Sequence, residues 1–178
     1  PRSPYSATKA GSDLLVQSYI ETFNIDASIT RCCNNYGPRQ GDEKLIPTVI
    51  RSIVQGDKIP VYGTGENIRE WIHAEDHAKA IIEVLVAGEE QLYNIPGSEI
   101  CTNIRLINNI INELELLYPE YKREPEGARI EYIEFVADRK GHDFKYELST
   151  KHNLEAVKRQ QDFSLESTIK YYVEKYKA

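Results

Sequence analysis

Short apolar runs alternate with longer segments of helical period along this chain, and that alternation restricts it to an α/β architecture in which strands lie under helices. Residues 27–33, 59–62, 68–73, 92–95 and 130–136 read as strands. Helices are predicted over 4–23, 46–55 and 77–86, another directly after Asn103, and a last one capped by Ser164. The helical period assigns Ile46, Val49, Ile50 and Ile53 to one inward face and Ile104, Ile107, Ile110, Ile111 and Leu114 to another. In the 77–86 segment the inward residues are expected to be Ala78, Ile81, Ile82 and Leu85, with Asp76 as the cap. In the last helix they are Leu165, Ile169, Tyr172, Val173 and Tyr176. Residues 34–42 are rich in turn formers and predict a loop, as do residues 120–129.

A chain of 178 residues can build one good core and a small second lobe. Its formal net charge of −6 and the lack of a basic stripe argue against nucleic acid as a partner. No apolar run is long enough to span a bilayer, so no membrane role is expected. Cys32, Cys33 and Cys101 do not have zinc-site spacing and predict reduced thiols in a cytoplasmic protein, with no metal. The sequence contains no methionine and opens Pro-Arg-Ser, which predicts a piece of a longer protein.

The first helix carries the most suggestive chemistry. Ser3 is a natural N-cap and Pro4 a natural first helical residue. Tyr5 and Lys9 then fall on one face, four residues apart. Tyr118/Lys122 and Tyr171/Lys175 share that spacing, so spacing alone does not single out the first pair. Its neighbours do: Ser6, Ala7, Ala10, Gly11 and Ser12 are all small and leave room for a ligand or another backbone. The apolar residues of this helix cover more than one stripe, so it is expected to face both its own core and a partner subunit. In a piece lacking the preceding half, that surface is expected to be bare.

Three stretches concentrate polar residues between apolar elements. They are Asn34-Asn35-Tyr36-Gly37-Pro38 with Glu43-Lys44-Leu45-Ile46-Pro47, then Gly63-Thr64-Gly65 with Arg69-Glu70-Trp71, then Asp138 to Asp143. Lys44, Arg69 and Arg139 can supply local positive charge to an anionic ligand. Each charge-assisted hydrogen bond to a phosphate contributes roughly 1.5–3 kcal/mol. The bland readings are turns, an ordinary Arg69/Glu70 ion pair, and histidines His73 and His77 that merely straddle a helix start.

Taken together and in order, these motifs resemble the extended short-chain dehydrogenase/reductases that act on nucleotide sugars. The resemblance rests on Tyr5-Ser6-Ala7-Thr8-Lys9, Asn35-Tyr36-Gly37-Pro38, Tyr62-Gly63-Thr64-Gly65 and Arg69-Glu70-Trp71-Ile72-His73 with Asp76. The doubled Asn34-Asn35, Glu43-Lys44-Leu45-Ile46-Pro47, and Ala137-Asp138-Arg139 with Gly141-His142-Asp143 are similar to the dTDP-glucose 4,6-dehydratase branch. A UDP-sugar epimerase or decarboxylase, or a non-catalytic nucleotide-sugar-binding lobe, stays open as an alternative.

The resemblance implies the C-terminal half of such an enzyme. Residues 1–36 would end an NAD-binding Rossmann-type domain, and 37–178 would form mainly the smaller α/β substrate-binding domain, with some segments returning to the Rossmann sheet. It implies NAD as cofactor, a dTDP-sugar as substrate and a homodimer through the active-site helix. Tyr5 and Lys9 would be catalytic and, with Asn35, would contact the cofactor. Asn34, Lys44, Leu45, Pro60, Tyr62, Arg69, Asn103, Asp138, Arg139 and His142 would bind the substrate. The implied reaction oxidises the sugar at C4, eliminates water across C5 and C6, and re-reduces C6. The acidic pair for elimination and the glycine-rich cofactor loop would precede Pro1, so the isolated chain is expected to be inactive. The Tyr/Lys pairing has a physical logic. Forming tyrosinate at pH 7 costs about 4 kcal/mol. A cation about 4 Å away offsets up to about 4 kcal/mol at an effective dielectric of 20.

Overall fold

The computed structural model describes residues 1–88, 92–122, 132–149 and 164–177. Helix α1 runs Pro4–Phe23 and opens with the expected cap. The Ser3 hydroxyl accepts from the Ser6 amide, and the Ser6 hydroxyl accepts from the Ser3 amide in return. Asn24 ends the helix in the left-handed conformation, with φ 50°. Strand β1 is Ile29–Cys32 and β2 is Asn34–Tyr36. Helix α2 is Leu45–Gln55, β3 is Ile59–Tyr62 and β4 is Ile68–His73. Helix α3 is Ala74–Ala87, followed by β5 at Leu92–Ile95 and β6 at Glu99–Thr102. Helix α4 is Asn103–Leu117, β7 is Ile133–Val136 and α5 is Glu166–Lys177. Among the described residues no helix is long and apolar enough to cross a membrane.

Among the described residues the strands form three small sheets. β1 pairs in parallel with β5, Ile29 opposite Leu92. β4 is flanked by β2 in parallel and by β6 antiparallel, with Asn35 opposite Ile72 and Arg69 opposite Cys101. β3 pairs in parallel with β7, Tyr62 opposite Val136. Parallel pairs joined through helices are the α/β arrangement expected from the sequence.

Among the described residues two cores are built on opposite faces of the middle sheet. One gathers Tyr36, Trp71 and Cys101 with α2, α4 and α5 through Ile46, Ile50, Ile107, Ile110, Ile169 and Tyr172. The other is smaller and gathers Cys33, Ile72, Ala80, Val84, Tyr93 and Ile95. Successive strand residues point to opposite faces, so Trp71 enters the first core and Ile72 the second. Gly97 lies so close to this wall that a Cβ there would sit 2.2 Å from the Trp71 carbonyl oxygen.

Several local expectations are corrected. Residues 34–36 are not loop: the backbone continues from β1, with the Cys33 amide on the Ile95 carbonyl at 3.3 Å, and pairs with β4. The tertiary pairing overrides the turn preference of the two asparagines. α3 begins three residues earlier than predicted, and its cap is His73, whose Nδ1 accepts from the Glu75 amide at 3.3 Å. Its buried residues are Ala80 and Val84, while Ala78, Ile81, Ile82 and Leu85 are exposed. α3 packs on β2, β4 and β5 along one narrow stripe only. α1 likewise buries only Ile20, and Leu14, Leu15, Tyr19 and Phe23 stand in solvent. That is the bare surface expected of this stretch without a neighbouring layer. The 120–129 loop and the start of the 130–136 strand fall largely outside the described residues.

Candidate functional site

All three polar stretches meet at one cleft of about 690 Å³. Tyr5 reaches it from the first turn of α1, and Asn34 and Asn35 from β2. Lys44 and Leu45 enter from the start of α2, Pro60 and Tyr62 from β3, Arg69 from β4. Asn103 lines it from the start of α4, whose first amides bond the Asn67 and Gly65 carbonyls at 3.0 Å each. Arg139 and His142 complete it from the loop after β7. Two expected residues do not line it. Lys9 lies one turn along α1, exposed, and Asp138 stands behind His142.

The cationic end is preorganised. Arg69 donates to the carbonyls of Ile68 at 2.7 Å, Asp143 at 2.6 Å and Phe144 at 3.3 Å. Partial burial, then the neighbouring Arg139 charge, lower its pKa below the usual value, but a guanidinium stays charged. Arg139 lies over the Tyr62 ring, 5.0 Å from its centroid, and its Nη2 is 3.3 Å from His142 Nε2. His142 Nδ1 is 2.7 Å from Asp138 Oδ1. That hydrogen bond holds the Asp138 carboxyl below the ordinary carboxylate range. The three residues form a row in which the imidazole donates to the carboxylate and accepts from the guanidinium. Neither Arg69 nor Arg139 has a carboxylate ion-pair partner among the described residues, so both charges are available to an anion. Lys44 pairs with Glu43 at 3.2 Å, but both are largely exposed and the pair is weak.

The loop between β2 and α2 is fastened by the last helix. The Tyr172 hydroxyl donates to the Gln40 carbonyl. Lys175 Nζ and the Tyr176 hydroxyl reach Asp42 Oδ1 at 2.6 and 2.8 Å. These contacts, Lys175 first, hold the Asp42 carboxyl below its ordinary value. Thr48 Oγ1 adds a bond to the Asp42 carbonyl at 3.2 Å.

The cleft also contains residues to which sequence reasoning gave no ligand role. Gln40, Glu43, Thr48, Val61, Trp71 and Ile107 line it too. Trp71 is buried, yet its Nε1 has no hydrogen-bond partner among the described residues. A tryptophan in a strand reads as core, and only its polar edge marks the cleft. His77 matters as well: its Nδ1 lies 2.9 Å from Asn35 Oδ1.

Residues 1–96 match the NAD dependent epimerase/dehydratase family, and the chain belongs to it. Within that family the similarity narrows. The chain is 39% identical over 177 residues to dTDP-glucose 4,6-dehydratase 1 of Escherichia coli strain K12, covering 99% of this chain and 48% of that protein. It is 42% identical over 177 residues to the low-salt glycan biosynthesis protein Agl12 of Haloferax volcanii, covering 97% and 53%. The crystal structure of DesIV, a dTDP-glucose 4,6-dehydratase of Streptomyces venezuelae with NAD bound, superposes with a TM-score of 0.84 at 41% identity, over 98% of this chain and 52% of that one. The chain thus spans about half the length of the relatives it matches. The resemblance to nucleotide-sugar dehydrogenase/reductases is borne out, as is the α/β fold of that type.

Proposed function

We propose that this chain is the nucleotide-sugar-binding half of an NAD-dependent dTDP-glucose 4,6-dehydratase, which forms dTDP-4-keto-6-deoxyglucose. The convergence of Tyr5 with Arg69 and Arg139 on one cleft carries the reading. Two guanidiniums with no carboxylate ion-pair partner among the described residues suit a diphosphate, and a phenol on the same cleft suits proton removal from a sugar hydroxyl. Lys9, on the same helical face as Tyr5, lowers the cost of the phenolate. Leu45, Pro60 and the Tyr62 ring give a base an apolar seat, while Asn103 and Asn34 supply directional contacts. Asp138 orients His142.

The residues present fit a nicotinamide cofactor at one end only. Asn35 and Tyr5 share the cleft, and Asn35 retains hydrogen-bonding capacity there. Bound NAD supplies the acceptor and donor of hydride. The bare apolar face of α1, with Leu14, Leu15, Tyr19 and Phe23, supports a homodimer formed through that helix.

The test is an assay of the full-length gene product with dTDP-glucose. Accumulation of a 4-keto-6-deoxy sugar nucleotide that absorbs in alkali supports the reading. A dTDP-galactose product places the protein with the epimerases instead, and no turnover with dTDP-sugars overturns the dehydratase reading. The 178-residue chain alone is expected to bind dTDP without turning over its sugar.

A further inference from the structure

Asn35 is held from four directions. Its Nδ2 donates to the Cys33 carbonyl at 3.3 Å and lies 3.2 Å from Cys32 Sγ. Its Oδ1 lies 2.9 Å from His77 Nδ1, and its backbone carbonyl accepts from Gln40 Nε2 at 2.8 Å. A carbonyl only accepts, so the Cys33 oxygen fixes which end of the amide is nitrogen. The oxygen end must then face His77, and the imidazole must donate from Nδ1. Burial lowers the pKa of His77, which favours the neutral ring. Its Nε2 is consequently a bare acceptor, buried and without a hydrogen-bond partner among the described residues.

A primary amide has two N–H donors and two oxygen lone pairs. Here both donors point at Cys32 and Cys33, and His77 occupies one lone pair. What Asn35 has left for the cleft it lines is a single acceptor site. Without the His77 donor the oxygen end loses its partner, and only the long contact to the Cys33 carbonyl, 3.3 Å from the nitrogen, still opposes rotation of the amide by half a turn, which would present donors instead.

We infer that His77 is a positioning residue that fixes Asn35 as a hydrogen-bond acceptor, so that the ligand atom opposite it is a donor: an amide N–H or a hydroxyl, and not a carbonyl or phosphate oxygen. This rests on the cleft's being the nucleotide-sugar and cofactor site. The two donor sources are separable. A nicotinamide ring carries an amide N–H that the 3-acetylpyridine analogue of NAD lacks. A sugar hydroxyl is absent from singly deoxygenated dTDP-glucose analogues.

The test measures dissociation constants in the full-length protein. One of these probes is expected to bind about tenfold more weakly than its parent, the size of one hydrogen bond. That penalty falls below about twofold in Asn35→Ala and in His77→Leu. His77→Asn, whose amide nitrogen can occupy the Nδ1 position, keeps it. His77→Gln, which mimics Nε2, loses it, so the Asn/Gln comparison serves if the leucine variant does not fold. A penalty that survives in His77→Leu or His77→Gln, or that no probe shows, overturns the assignment. If wild type turns over dTDP-glucose but these outcomes occur, the positioning role alone fails. If wild type binds neither nucleotide, both readings fail.

Discussion

Arg139 and Tyr62 meet face to cation at the ends of two paired strands. The guanidinium carbon stands 5.0 Å from the ring centroid, and Tyr62 is opposite Val136 in the β3–β7 pair. The strand register therefore sets where the charge is held, and His142 sets how the guanidinium plane is turned.

Replacing that guanidinium should weaken nucleotide binding directly. Arg139→Ala is expected to raise the dissociation constant for dTDP about 10- to 100-fold. Arg139→Lys should recover only part of the loss, because a lysine keeps the charge without the planar fork. Titration calorimetry checks both, and equal affinities for the lysine variant and wild type would argue against a bidentate contact.

The fastening of the cleft loop should be visible in acid. The Asp42 carboxyl has a folded-state pKa below its ordinary value because of Lys175 and Tyr176. The unfolded chain then binds a proton before the folded one does. The stability that Asp42 contributes is thus complete at neutral pH and fades as the pH falls below about 4. The gap in melting temperature between wild type and Asp42→Asn is expected to be constant above pH 5 and to close in acid. A gap independent of pH would mean that the carboxylate charge is not what fastens the loop.

Glu70 is 3% exposed, and its two oxygens accept from the amides of Gly97 at 2.9 Å and Leu148 at 3.2 Å. Glu70→Ala leaves two N–H groups without an acceptor and is expected to cost about 3 kcal/mol of stability. Glu70→Gln retains one of the two bonds and should cost roughly half as much. Urea unfolding measures the difference. Gly97→Ala should also destabilise, since its methyl would overlap the Trp71 backbone.

The three thiols should react in a defined order. Cys33 and Cys101 are each 4% exposed, and burial pushes Cys101 up to about 11 and Cys33 higher still. Cys32 is only half-buried. With a thiol reagent at pH 8, Cys32 is expected to react first, and the other two only in denaturant. Cys32→Ser should abolish the fast phase, and a remaining fast thiol would contradict the described burial.

Much of the fold is legible because local signals agree with tertiary demand. Ser3 and Pro4 announce α1, and the isoleucines of α4 announce its buried face. β2 is obscured because Asn34 and Asn35 are turn formers whose pairing to β4 is a long-range event. α3 is misjudged in its face because Ile81, Ile82 and Leu85 are as apolar as the buried Val84. Apolarity says what can be buried, and the strands on which the helix packs decide what is. At the site, charged residues such as Arg69 and Arg139 stand out in a sequence. Gln40 and Trp71 do not, because one reads as a turn residue and the other as core.

The shared wall of β4 also governs how such a protein can be recombined. Trp71 and Ile72 serve different cores from adjacent positions, and the chain passes from one face to the other again between Cys33 and Tyr36. No single junction separates the two packing units. A chimera that exchanges one core for that of a relative needs matched breakpoints on β2 and β4 together, with the Gly97 turn carried along. A cut at one loop would leave half a wall on each side.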